Sequence, residues 1–370
     1  MQTISRVAIA FAAMAIVVLA CTAALAVGCR CAVPEEPEPE VAGAATAVPV
    51  DEPGGCPVEK VCWPMMLTAG NQLTQNGTLF GRHCTFLVDT GFTYSVLSAR
   101  HKPADRKNHI LLEWPGDKGN WHEFPVKRWV ATAQQTTNRL PLVTVTDEAT
   151  CMGPHGTPVS MEGELALVQE LGDMLTRSEY DAPLGGIIGA SFMKKYVVTF
   201  DYGGNRCISY ECSLKGVPEG AVRLVNEAKG GFSTIVVPVT CRYGDRTVKL
   251  RACIDTGAGA SILAQRATRK LLPADDPARQ RKTHARFGDG EVAAFEYIAP
   301  KTGGLEMSFQ DKDGRSITVF PDTLLMLPEK APSVSAMSGH DMLVGTACLQ
   351  DLVLTVDYTT DPYEVYVSKP

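Results

Sequence analysis

The chain is 370 residues long, 45% of them hydrophobic, with a formal net charge of −6 at pH 7. That is enough chain for two domains and enough apolar content for a packed core. The acidic balance, with Lys and Arg scattered and in no long run, leaves no footprint for nucleic acid, and no such partner is expected.

At the N-terminus Arg6 precedes an apolar run from Val7 to Val27, rich in Ala and Val. It is long for a signal-peptide core and about right for one membrane span. Cys21 follows Val-Leu-Ala and Cys29 follows Ala-Val-Gly, and both sites partly resemble a bacterial lipoprotein cleavage box. Residues 1–31 are therefore read as a signal peptide or membrane anchor. The expectation is an exported chain tethered in the bacterial periplasm or at the cell surface, with free secretion after cleavage as the alternative. Residues 32–55 are rich in Pro, Glu and Ala, too poor in apolar groups to be buried, and read as a solvated linker. Twelve cysteines fit an exported chain, where disulfides persist. Cys207 and Cys212 are spaced to close a small loop, and Cys241 and Cys253 lie on two successive strands where they would face each other, although connectivity does not follow from sequence.

From Cys56 onward the pattern is that of strands. Asn76-Gly77 predicts a two-residue hairpin turn joining 73–75 to 78–80, with a bend at Gly81 leading into a strand at 85–88. Gly116 to Trp121 predicts a turn. Across 161–178 the apolar residues Met161, Leu165, Leu167, Val168, Leu171, Met174 and Leu175 fall mostly at helical spacing, which predicts a helix of several turns. Gly216, Pro218, Gly220 and Gly230-Gly231 mark a linker at 215–230. A strand rich in β-branched residues follows at 234–239, then a turn at Gly244-Asp245 and a strand into Asp255. Phe287-Gly288-Asp289-Gly290-Glu291 is a Gly-rich hairpin tip, and a Pro- and Ser-rich loop runs from 328 to 339.

Two stretches repeat each other. Phe86-Leu87-Val88-Asp89-Thr90-Gly91 and Ala252-Cys253-Ile254-Asp255-Thr256-Gly257 are apolar strands running into Asp-Thr-Gly. Each is followed by a second apolar run, Ser95-Val96-Leu97 and Ser261-Ile262-Leu263. Each also has a downstream partner. Gly186-Ile187-Ile188-Gly189 leads to Asp201-Tyr202, and Met342-Leu343-Val344-Gly345 leads to Asp357-Tyr358, at the same spacing. The repeat is a whole supersecondary unit. Gly257-Ala258-Gly259 after a strand suggests a dinucleotide fingerprint, but Ile262 stands where its third Gly or Ala belongs.

These motifs resemble the aspartic peptidases of the retropepsin and pepsin type, and in particular the retropepsin-like aspartyl protease domains, here two in tandem over roughly residues 65–370. The resemblance implies a mostly β, bilobal acid-protease fold of two pseudo-symmetric, β-barrel-like lobes with few short helices. Lobe 1 would span 56–214 and lobe 2 would span 231–370, joined by the 215–230 linker. It implies Asp89 and Asp255 as a catalytic dyad, Thr90 and Thr256 as a hydroxyl lock between the loops, and Gly91 and Gly257 as the backbone turns. Gly119 and Asn120 in one lobe, and Gly288, Asp289 and Gly290 in the other, would be flap tips over bound substrate.

The chemistry expected of such a pair follows from electrostatics. Two carboxyls within hydrogen-bond reach cannot both ionise cheaply, so one keeps a proton. The ionised member takes a proton from a water attacking a peptide carbonyl, and the protonated member donates to the developing oxyanion. The expected activity is thus an aspartic endopeptidase acting on an extended polypeptide, as a monomer, with no metal or cofactor. Phe92 and Gly259 depart from the family pattern, where a small residue and then Ser or Thr follow the Asp-Thr-Gly; Ala258 and Thr93 fit it. The missing hydroxyl beside Asp255 would bring the pair's titration nearer to neutral. The alternative is a catalytically inactive, protease-like module that binds a peptide without cutting it.

Overall fold

A computed structural model describes residues 60–68, 70–115, 117–132, 135–145, 149–152, 158–161, 163–171, 182–228, 234–272, 281–287, 290–298, 304–328 and 339–370. The expected anchor and the linker at 32–55 lie outside these residues. The chain divides into two units, Met1–Gly55 and Cys56–Pro370. The second is mostly β, with two short helices, Ala190–Met193 and Gln265–Leu271, among the described residues. No helix among them is long and apolar enough to cross a membrane.

Three sheets build this unit. In the first, the strand Arg82–Val88 lies between Leu73–Leu79 and Leu184–Ile188. The order continues through Ser95–Ser98, Leu165–Gln169, Gln135–Thr144 and His122–Thr132. In the second, Arg246–Ile254 lies between Ile235–Tyr243 and Met342–Val344. There the order continues through Ile262–Leu263, Thr323–Met326, Gly290–Ile298 and Arg281–Phe287. Strand for strand, the two orders and their parallel or antiparallel senses agree. The sheets are open, with edge strands at both ends, so the barrel-like closure expected from sequence is not formed.

The third sheet has six strands and joins the two halves of the unit. Its central pair, Val197–Asp201 and Val353–Asp357, is antiparallel and in register about Thr199 and Thr355, whose hydroxyls meet at 3.0 Å. Cys207–Glu211 and Lys60–Pro64 extend it on one side, and Glu364–Ser368 and Val222–Leu224 on the other. The expected linker at 215–230 therefore contains a strand of this shared sheet. The large core runs beneath all three sheets and includes Phe86, Val88, Phe192, Phe200, Tyr210, Ile254 and Leu354. Leu87 points the other way, into a smaller cluster with Val96, Leu142, Leu167 and Ile187. Burial on both faces is why the strands into Asp89 and Asp255 read as unbroken apolar runs rather than alternating ones.

Several local expectations are corrected. Asn76 and Gly77 sit inside the strand Leu73–Leu79, opposite Thr85 and Cys84. The turn is at Phe80-Gly81, both at positive φ (52° and 72°), as a two-residue turn of this handedness requires. The predicted turn at Gly244-Asp245 is where it was expected, between Tyr243 and Arg246. In place of a helix, Leu165–Gln169 is a strand, parallel to Ser95–Ser98 and antiparallel to Gln135–Thr144. Its apolar run is buried on both faces, and such a run carries no period that separates strand from helix. Residues 172–178 of the expected helix, and 329–338 of the Pro- and Ser-rich loop, lie outside the described residues.

The cysteine expectations also change. Cys207 is a free thiol, while Cys212 is disulfide-bonded to another partner. Cys241 lies opposite Val248 and Cys253 opposite Val236, so the two do not face each other, and both are buried free thiols.

Candidate functional site

Each Asp-Thr-Gly leaves its strand at the same point in its sheet. The Asp89 amide donates to the Ile188 carbonyl at 2.9 Å, and the Asp255 amide donates to the Val344 carbonyl at 3.0 Å. The apolar-apolar-Gly segments thus hold the root of each loop. Gly189 and Gly345 then donate their amides to Ser95 Oγ (3.1 Å) and Ser261 Oγ (2.9 Å). Further on, the Ala190 amide reaches the Phe92 carbonyl and the Thr346 amide reaches the Ala258 carbonyl, at 2.9 and 2.8 Å. The two loops are built by the same set of bonds.

The threonines cross between the halves. Thr90 Oγ1 donates to the Ile254 carbonyl at 2.8 Å and accepts the Thr256 amide at 3.2 Å. Thr256 Oγ1 donates to the Val88 carbonyl at 2.7 Å and accepts the Thr90 amide at 3.1 Å. Both side chains are fully buried, so all four bonds are shielded from water.

This lock brings the two carboxyls together: Asp89 Oδ1 and Asp255 Cγ each stand 3.0 Å from the place that a Cβ on Gly91 would take. Asp89 is buried, with 5% of its surface exposed, whereas Asp255 is partly exposed, so the pair opens to solvent on the Asp255 side. Asp89 Oδ1 accepts the Gly91 amide at 2.7 Å, and Asp255 Oδ1 accepts the Ala258 amide at 3.0 Å. Burial pushes both carboxyls above the ordinary range despite those donors, and the neighbouring Asp255 charge pushes Asp89 further. The pair holds a shared proton at a pH where an isolated carboxyl has lost its own.

Gly91 and Gly257 lie in turns as expected, and packing adds a further reason for their being glycine. Neither is at positive φ. A Cβ on Gly91 would stand 3.0 Å from Asp255 Cγ, and a Cβ on Gly257 would collide with the Asp89 carboxyl. Each glycine makes room for the carboxyl of the other half.

The segment before the first strand is a site component that the sequence reading missed. The Leu73 amide donates to the Thr256 carbonyl at 3.3 Å, and Gln72 Nε2 donates to the Gly257 carbonyl at 3.3 Å. The Gly70 carbonyl oxygen occupies the space a Cβ on Gly259 would need. The visible signal was Gly70-Asn71, a turn dipeptide, with Asn71 at φ 61°. This packing explains why residue 259 carries no hydroxyl beside Asp255. Gly259→Ser should destabilise the fold by about 3 kcal/mol or more, because the obstacle is backbone rather than a flexible side-chain end. Urea unfolding reads the loss, and one below about 1 kcal/mol would show that the 68–72 segment yields. Phe92, which departs from the pattern in the first half, packs its ring against the Leu87, Val96 and Ile187 cluster.

The flap assignments do not hold in the first half. The Gly119-Asn120 turn is tied at Asp117, which receives Arg82 at 2.5 Å and Asn120 Nδ2 at 2.7 Å. Phe80 stacks on Trp114 beside it at 4.4 Å. Arg82 begins the strand that Asp89 follows, roughly 20 Å away at the rise of a β-strand. The hairpin equivalent by sheet order is His122–Thr132 with Gln135–Thr144, whose tip lies outside the described residues. In the second half Gly290 lies opposite Phe287 in a hairpin, and Gly288 and Asp289 lie outside the described residues. Among the described residues no cluster of three or more His, Cys, Asp or Glu is placed to hold a metal.

No family model matches the chain, and no curated protein matches it. Solved structures do. One is basic 7S globulin from soybean, 11% identical, covering 84% of this chain and 95% of that one, with a TM-score of 0.48. Another is conglutin gamma, a basic 7S globulin from lupine seeds, with the same identity and coverage and a TM-score of 0.49. Both are globulins. At these values the likeness assigns this chain neither a family nor an activity. The expectation of a retropepsin-like aspartic endopeptidase, with its hydrolase activity and role in proteolysis, is corrected to this extent: the solved structures named are globulins, and no family model or curated protein matches.

Proposed function

We propose that the chain is an exported binding protein, tethered through its N-terminal segment, that holds an extended polypeptide segment against the Asp89–Asp255 pair without cleaving it. The finer architecture belongs to the same reading: two pseudo-symmetric lobes of the acid-protease kind, at 56–214 and 231–370, meeting at the pair. The observation that carries it is geometric: the crossed threonine bonds hold two carboxyls together, one buried and the other open to solvent. A protonated carboxyl donates to a ligand carbonyl or hydroxyl while its ionised partner accepts, so one pair satisfies both kinds of group. Both carboxyls come from one chain, which supports a monomer with one ligand each.

The probe is a peptide carrying a central hydroxyl in place of one peptide bond, beside the matching all-amide peptide. Calorimetry on the full chain should give one site per chain at every protein concentration, and Asp255→Asn should weaken it at least about tenfold, the loss of a charge-assisted bond. Mass spectrometry should recover the all-amide peptide intact after incubation from pH 3 to 7. Turnover that Asp89→Asn abolishes would overturn the binding reading, as would binding that ignores Asp255→Asn.

A further inference from the structure

The first half carries an addition that the second lacks. The hairpin Arg100–Pro103 with His109–Glu113 continues the first sheet beyond His122–Thr132, and among the described residues no strand answers it in the second sheet. This addition builds a cavity of its own, about 300 Å³ in volume. His101, Lys102, Asn108, His109, Val126 and Trp129 line it, and among the described residues no carboxylate does. The volume is at the lower end of the range for small-molecule sites.

Three features point to what the cavity takes. First, Trp129 is 47% exposed, although it sits in a strand of a folded unit. The register of its strand shifts between Val126 and Arg128, and a bulge of this kind re-aims the side chains that follow it. The His101 ring stands 6.4 Å from the Trp129 ring, tilted by 53°, so two aromatic faces meet at an angle. Second, the segment 101–109 holds Lys102, Arg106 and Lys107 against one acid, Asp105, in a chain whose net charge is −6, while Arg100 before it is paired with Glu113 at 2.7 Å. Lys102 lines the cavity, and its Nζ is held 3.9 Å over the Trp121 ring. Third, the site is held rather than loose. The Val126 amide donates to the Asn108 carbonyl at 2.8 Å, and His109 Nδ1 lies 3.0 Å from the Lys107 carbonyl, to which it donates.

From these we infer that the cavity is a binding site, separate from the Asp89–Asp255 pair, for a small ligand with a flat ring and an attached oxyanion, a carboxylate or a phosphate. The ring lies against Trp129 and His101, and the oxyanion takes a charge-assisted bond from Lys102. Neither part suffices alone: a bare anion leaves the aromatic wall open, and a neutral ring leaves the ammonium unmatched.

The test is calorimetric titration of the full chain with benzoate, phenyl phosphate, benzyl alcohol, acetate and inorganic phosphate. Benzoate or phenyl phosphate should saturate one site with a Kd of ~1 mM or tighter, and the stronger of the two names the oxyanion. Benzyl alcohol, acetate and inorganic phosphate should each bind at least about tenfold more weakly. Trp129→Ala and Lys102→Met should each weaken the preferred ligand about tenfold while leaving thermal unfolding unchanged, since both side chains are exposed. Equal binding of a ring-free or uncharged probe, binding indifferent to both substitutions, or no saturation by either ring anion would overturn the proposal.

Discussion

Asp89→Asn should unfold at a higher temperature than the parent chain at pH 7, by a few degrees. In the unfolded chain Asp89 titrates as an ordinary carboxyl. In the folded chain burial first, and the charge of Asp255 second, hold its proton to higher pH. Between those two pH values the native state binds more protons than the unfolded state, so stability falls as pH rises, and above the folded value the whole cost is present. Asn removes that titration. Its Oδ1 still accepts the Gly91 amide, and its Nδ2 donates to an ionised Asp255 in place of the shared proton. The gain should be largest near pH 7 and above and should vanish below about pH 4, where Asp89 is protonated in both states. Thermal unfolding of both chains from pH 3.5 to 8 measures it. A gain of the same size at pH 3.5, or a loss at pH 7, would show that the pair does not share a proton as described.

The opposite effect is expected one residue on. Thr90→Val keeps the shape and removes the hydroxyl, leaving the Ile254 carbonyl and the Thr256 amide unpaired in a fully buried place. Each orphaned group costs about 1–3 kcal/mol, so the variant should lose roughly 2–5 kcal/mol. Thr256→Val orphans the Val88 carbonyl and the Thr90 amide and should cost the same. Thr90→Ser keeps the hydroxyl and loses only a methyl, so about 1 kcal/mol is expected. Urea unfolding with the slope checked for two-state behaviour separates these cases. If serine is as damaging as valine, packing rather than the crossed bonds holds the halves together.

The meeting of Asp89 with Asp255 was legible because the repeat is complete. Each half carries the strand, the Asp-Thr-Gly, the second apolar run and the apolar-apolar-Gly partner at similar offsets, and such a unit can fold in only a few ways. The crossed threonine bonds follow from that pairing. Three local readings failed beside the larger ones. Asn76-Gly77 is a strong turn dipeptide, but pairing with Thr85 and Cys84 on a long strand outweighs it. Leu165–Gln169 has no readable period because both of its faces are buried. The Gly119-Asn120 turn was placed by distance from Asp89 along the chain, and the inserted hairpin at 100–113 made that distance misleading.

The amino-acid order alone determined a mostly β chain, its internal duplication, and the identity of the two acids, because these depend on residue type and spacing along one strand. Tertiary structure alone decided the rest: which hairpin of the first sheet answers the Arg281–Ile298 hairpin of the second, why Gly91, Gly257 and Gly259 must lack a side chain, and which cysteines stay free. Each of these depends on groups far apart in the chain competing for the same few ångströms, and spacing along the chain carries no record of that contest.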